Sequence, residues 1–194
     1  AAEAPRQLSR VLEKQEEEVR NKERALEVIM PQLQVLVKSS GEKPSVRYFD
    51  GEEGIRAIRQ EIVMHSKPGS TVLNIINADS MDAYFPKIFD SYYRQRVAKH
   101  VHAKTIFSTV SGESKKRFLS EEFSKFSERI FIPPEHFPNA GVITVFEDRV
   151  AMSSFEGQSG GVIVEGQTIA SMMRDVFTLA WERAKQIGEA NTKG

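Results

Sequence analysis

Leu8, Leu12, Gln15, Val19, Lys22, Leu26, Ile29, Leu33 and Leu36 recur at alternating steps of four and three residues. This a/d spacing lays one apolar stripe along a helix. Glu13, Lys14, Glu16, Glu17, Glu18, Arg20, Glu23 and Arg24 fill the positions between and give the helix a solvated outer face. Such a stripe is buried either in a homodimeric coiled coil or along the chain's own globular part. In the first case Leu8, Leu12, Val19, Leu26, Ile29 and Leu33 form the dimer seam. Gln15 and Lys22 on the seam lower stability but fix register or chain number. Pro31 lacks a helical N–H and predicts a kink or break near Ile29. The dimerisation helix is therefore assigned to residues 1–38, with its pairing direction left open.

Ser39 to Pro44 has the composition of a linker, and beyond it the period changes. Val46 to Phe49 reads as a strand. Asp50 and Glu53 form a capping-box signal for a helix from Gly51 to about His65, with Ile55, Ile58, Ile62 and Val63 at helical spacing. Lys67 to Ser70 is a turn before the strand Thr71–Ile76. Asp79 or Ser80 is expected to cap one helix burying Met81, Tyr84, Phe85, Ile88, Phe89 and Tyr92. Alternation from His100 to Phe107 predicts a strand, followed by a charged helix over Glu113 to Phe126 and a strand Arg129–Ile132. Pro133-Pro134 breaks the chain. A hairpin Val142–Phe146 and Val150–Ser153, a strand Gly160–Val164 and a final helix of about twenty residues complete the order β-α-β-α-β-α-β-β-β-β-α. That order predicts an α/β domain, a mixed sheet flanked by helices.

Composition narrows the function. Twenty-seven basic and 27 acidic residues cancel, which removes any overall pull toward phosphate backbones or anionic lipid. Without cysteine there is no disulfide, thiolate metal site or cysteine nucleophile. No apolar run reaches the ~18 residues of a membrane span, and no signal-peptide core is visible, so the expected location is cytoplasmic, without a membrane partner. The chain opens Ala1-Ala2-Glu3 without methionine, as a processed form or an excised piece would.

The motifs offer little catalysis. The junction Asp50-Gly51-Glu52-Glu53-Gly54 sets two carboxylates at a helix start, where they would repel a dinucleotide phosphate. Ser159 is followed by two glycines and a strand rather than the helix of a nucleophile elbow. His100 and His102 share a strand face, yet no third metal ligand is nearby, so no metal and no cofactor are expected. His102-Ala103-Lys104 resembles the His-x-Lys of the phospholipase D superfamily. There the histidine attacks phosphorus, the lysine balances phosphate charge and an aspartate after four further residues supports the hydrogen bonding. Here that position is Thr109, and the set is incomplete.

A broader resemblance lies in Pro44-Ser45-Val46-Arg47-Tyr48-Phe49-Asp50-Gly51-Glu52-Glu53-Gly54-Ile55, in the strand-turn-strand Ile143 to Met152, and in Gly161 to Glu165 leading to a helix with Phe177 and Trp181. These resemble the C-terminal effector domain of TrmB-like transcriptional regulators, where a Val-Arg-Tyr-acidic/aromatic-Gly-x-x-Gly-Ile pattern follows a coiled-coil helix. The resemblance implies a phospholipase D-like domain over residues 44–188 that lacks catalysis and works as a sensor or assembly domain. Ile143 and Val145 then stand where the active relatives' histidine and lysine are expected.

No winged helix is found in these residues, so DNA contact is expected only through a domain that this chain does not contain. The expected partners are a second copy of the chain and a small-molecule effector, a sugar or other metabolite. Strand-end logic names Asn74, Asn77, His102, Lys104, Ser108, Ser153 and Ser154 as candidate ligand-binding residues. The alternative is a phosphodiesterase or nuclease using the degenerate His102–Lys104 pair across a dimer interface.

Overall fold

A computed structural model describes residues 43–84, 86–120 and 125–192, with Gln15, Val19, Arg20 and Lys22. The chain divides into Ala1–Lys43 and Pro44–Gly194. In the first unit the four described residues are helical, and Val19 is 53% exposed. Leu8, Leu12, Leu26, Ile29 and Leu33 of the expected seam, and the kink expected at Pro31, lie outside the described residues.

The second unit is built on seven strands: β1 (Ser45–Asp50), β2 (Thr71–Asn77), β3 (His102–Ser108), β4 (Ser127–Ile132), β5 (Gly141–Phe146), β6 (Arg149–Ser154) and β7 (Gly160–Glu165). They lie in the order β1-β7-β6-β5-β2-β3-β4. β2, β3 and β4 run parallel through helical crossovers, whereas β5, β6, β7 and β1 are antiparallel to their neighbours. The five helices are α1 (Gly51–His65), α2 (Ala78–Tyr84), α3 (Pro86–Ala98), α4 (Gly112–Leu119) and α5 (Gln167–Thr192). The mixed α/β sheet read from the sequence is the one observed.

Period-two alternation decides which helix meets which face. Val72, Ile76, Ala103, Phe107, Val142 and Phe146 point to one side, where Ile55, Ile58 and Ile62 of α1 and Ile88 and Phe89 of α3 bury them. Leu73, Ile75, Ile106, Ile132 and Val145 point to the other, under Ala170, Phe177, Trp181 and Ala184 of α5. The sheet is the middle of three layers. The second face is only partly roofed: Tyr48 is 80% exposed, and α5 turns Met172, Val176 and Leu179 to solvent.

Local chemistry departs from the sequence expectations in four places. Asp50 precedes α1 but makes no side-chain cap, and Glu53, expected to complete the capping box, pairs with Arg56 at 3.4 Å instead. The single helix expected after β2 is two, with Pro86 opening the second, since proline at an interior position would remove a backbone donor and clash with the preceding turn. The resulting break leaves Tyr84 exposed rather than buried. Its cap is Asn77, whose Oδ1 accepts from the Ser80 N–H at 3.0 Å; helix starts directly after strand, so Asp79 and Ser80 already lie in the first turn. The charged helix ends at Leu119, short of Phe126, and the last helix extends to 26 residues.

Two glycines of the β1–α1 junction are explained by geometry. Gly51 has φ +64°, which an L side chain adopts with strain. A Cβ on Gly54 would lie 2.6 Å from the Phe49 carbonyl carbon, so α1 can press against β1 only with glycine there. Gly54→Ala is expected to lower stability by about 1–3 kcal/mol through overpacking, read as a lower urea midpoint at unchanged slope.

Candidate functional site

The sheet separates the seven candidate residues into four groups. Asn77 and Ser108 end β2 and β3, and Ser153 and Ser154 end β6, all at the sheet end where β5 begins. His102 begins β3 at the opposite end, six residues from Ser108, about 20 Å along an extended strand. Lys104 lies on the α5 face, 3.6 Å from Glu128 Oε1 and 5.5 Å from the Trp181 ring. Asn74 sits mid-strand, buried on the α1 face.

At the first end an open cleft of about 540 Å³ is lined by Tyr48, Asp50, Asn139, Ser153, Ser154 and Gln158 among others. Two candidates shape its wall. The Ser108 hydroxyl donates to the Phe137 carbonyl at 2.6 Å, and the Asn77 amide donates to that of Pro138 at 3.4 Å, fixing the segment that leads into β5. Ser153 Oγ is buried in the cleft wall without a hydrogen-bond partner. No histidine, lysine or arginine lines this cleft among the described residues, and its one carboxylate is Asp50. A serine hydroxyl, an amide and a carboxylate can hold a polar ligand, but they provide no histidine nucleophile and no cation to balance a phosphate.

The opposite end is built differently. The His102 ring meets Phe126 edge-on at 5.0 Å, and the His100 ring lies 5.5 Å from the same phenyl group. Both histidines are thus packing partners of the turn before β4, and no group of three His, Asp or Glu residues is placed to hold a metal ion among the described residues. Lys104, two residues on, is engaged by Glu128 and Trp181.

Sequence reading missed a third feature, a cavity of about 80 Å³ inside the α1–α3 layer. Its floor is a chain of polar side chains across the three central strands. The Thr144 hydroxyl donates to Asn74 Oδ1 at 2.9 Å, and the Asn74 amide donates to Thr105 Oγ1 at 3.3 Å. Above them Arg59, only 4% exposed, donates from Nη1 to Thr144 Oγ1 at 3.3 Å and lies against Phe89 and Tyr92 at 4.9 and 5.5 Å. Burial pushes its guanidinium down to about 10, so it remains charged at neutral pH. At one edge Arg117 bridges Asp82 and, at 2.5 Å, Asp90. Arg96 spends its donors on the Val101 and Phe126 carbonyls and on Ser127 Oγ. The one available sequence signal was the step from Ile55 and Ile58 to Arg59 to Ile62, a charge inside the apolar stripe of α1.

The architecture is shared with known structures. The chain is similar to TrmBL2, an archaeal chromatin protein with a novel mode of DNA binding, at a TM-score of 0.51 and 13% identity over 93% of this chain and 66% of that one. It is also similar to Nuc, a phospholipase D family member from Salmonella typhimurium, at a TM-score of 0.54 and 12% identity over 72% and 95% of the two chains. NucT from Helicobacter pylori gives 0.53 and 7%, over 72% and 97%. The fold is phospholipase D-like. No protein-family model and no curated protein matches the sequence. At these identities the likeness concerns the fold alone, and the chain spans just under two thirds of the length of TrmBL2. Within the phospholipase D-like sheet, β5 carries Ile143 and Val145 where the sequence analysis expected the histidine and lysine of active relatives, and both take part in the apolar packing under α5. No helix among the described residues is long and apolar enough to cross a membrane.

Proposed function

We propose that this chain is the regulatory and dimerisation part of a TrmB-like transcriptional regulator. Residues 1–38 pair two copies through a coiled coil, and residues 44–188 form a phospholipase D-like domain that binds a cytoplasmic effector instead of cleaving phosphodiesters. DNA contact belongs to a winged helix outside this chain. The observation that carries the reading is the strand-end cleft, which holds Ser153, Ser154, Asn139 and Gln158 but no histidine or lysine. The likeness to TrmBL2 over 93% of the chain supports it.

The dimer is tested by replacing Leu12, Val19 and Leu26 together with serine. Analytical ultracentrifugation is expected to give a dimer for the parent and a monomer for the variant, with unchanged near-ultraviolet dichroism. An unchanged dimer would move the interface off the seam.

A second reading, a phosphodiesterase or nuclease, is favoured by the likeness to Nuc and by His102-Ala103-Lys104. It requires His102 as nucleophile, yet that ring packs on Phe126 at the end of β3 remote from the cleft. It predicts turnover that His102→Ala abolishes; the regulatory reading predicts none.

A further inference from the structure

We propose that the cavity beneath α1 and α3 is a binding site for a small monocarboxylate, gripped by Arg59 and Tyr92. This goes beyond the regulatory reading and stands without it.

A guanidinium buried away from water is costly unless a counter-charge and hydrogen bonds compensate it, and an apolar side chain of similar size would usually serve packing as well or better. Arg59 has no carboxylate partner among the described residues. Its Nη1 is taken by Thr144, but its Nε is buried without a partner, and so is the hydroxyl of Tyr92, whose ring centre lies 5.5 Å from the guanidinium carbon. Two orphaned donors on residues that line one cavity are unusual in a folded interior, where buried polar groups are almost always paired. Arg96, by contrast, is equally buried and spends its donors on carbonyls and a hydroxyl, as a structural arginine does. No carboxylate lies opposite the Nε–Nη2 edge of Arg59 among the described residues, and that edge is the one that matches two oxygens of a carboxylate.

The walls set the rest of the ligand. Ile76, Met81, Phe89, Phe118 and Val142 face a short apolar body, while the other charged groups of the lining are engaged: Asp82 and Asp90 with Arg117, and Arg96 with carbonyls and Ser127, which leaves Arg59 to meet a single charge. At about 80 Å³ the cavity admits only a few heavy atoms, against roughly 300–1,000 Å³ for sites that take larger ligands. Sugars and nucleotides do not fit. A second hollow of about 40 Å³ shares Arg59 and Tyr92 and is bordered by Arg56, Gln60, Ser91 and Gln95, giving a polar approach between α1 and α3.

The test is thermal unfolding of the full chain titrated with acetate, propionate and benzoate, with chloride balancing ionic strength and inorganic phosphate and glycerol as controls. Propionate or another of the three is expected to give a saturable rise of roughly 5–11 °C at a hundred times its dissociation constant. Arg59→Met should keep the far-ultraviolet dichroism and lose the shift. Tyr92→Phe, which removes one oxygen only, should weaken the dissociation constant several-fold and keeps the test decisive if the first variant does not fold. No saturable shift with any carboxylate, an equal or larger shift with phosphate, an undiminished shift in Arg59→Met, or an unchanged constant in Tyr92→Phe would each overturn the assignment. Dimer state and phosphodiester turnover are separate readouts, so failure here leaves the regulatory reading untouched.

Discussion

Phe107→Ala is expected to destabilise the domain by about 3–5 kcal/mol, the range for deleting a fully buried phenyl ring from a core that cannot collapse around the hole. Phe107 is completely buried near the C-terminal end of β3. Its ring stacks on Phe118 of α4 at 5.2 Å and meets Phe131 of β4 edge-on at 5.7 Å. The same apolar cluster contains Ile55, Ile76, Phe89 and Val142, drawn from two helices and two other strands. No single neighbour can move in without leaving its own contacts, and the residual void should therefore be large. For a chain of this length the loss corresponds to a midpoint roughly 6–20 °C lower in a calorimetric scan. Phe107→Leu, which keeps most of the volume, should lose much less. Equal losses in the two variants would show that aromatic geometry, not volume, holds this cluster.

Trp181→Ala should rank beside it, again at about 3–5 kcal/mol, through a different layer. Trp181 stacks on Phe177 at 5.5 Å, and together they roof Ile106 and Ile132 on the α5 face of the sheet. Lys104 adds a cation over the indole at 5.5 Å. Because α5 is the one helix packed there among the described residues, losing the anchor weakens the whole α5 contact rather than one site within a two-helix roof. The expected signature is faster limited proteolysis within α5, beyond the drop in midpoint. Trp181 is the only tryptophan, so in the parent protein its emission reports this contact directly. A fully stable variant with an unchanged cleavage pattern would mean that α5 is held elsewhere, at Ala170 and Met173 over β5 and β6.

The layers were legible in the sequence because both rest on periodicity. Alternation along β2, β3 and β5 and the stripe Ile55, Ile58, Ile62 suffice to assign each face, and the seven strands follow from them. Glycine chemistry was legible as pattern only: that Gly54 avoids the Phe49 carbonyl needs the packed β1–α1 corner to be seen. The break at Pro86 could have been read, since proline is unfavourable inside a helix, but the apolar spacing from Met81 to Tyr92 continues through it and masks the boundary. The candidate site was harder. Proximity to a strand end says nothing about which end: His102 and Ser108 open and close the same strand, and the parallel pairing of β2 with β3 puts Asn77 beside Ser108 rather than His102. The cavity depends on residues from α1, α3, β2, β3 and β5 that meet only in the fold. An arginine in an apolar stripe marks it in sequence, yet ordinary surface arginines carry the same letter.

We propose that this phospholipase D-like domain senses rather than cleaves. The direct measurement is release of 4-nitrophenolate from bis(4-nitrophenyl) phosphate by the purified full chain at high protein concentration, followed for hours beside a His102→Ala variant and a protein-free blank. The account predicts that the parent, the variant and the blank are indistinguishable. Turnover by the parent that the His102→Ala variant lacks would contradict it and establish the enzyme reading instead.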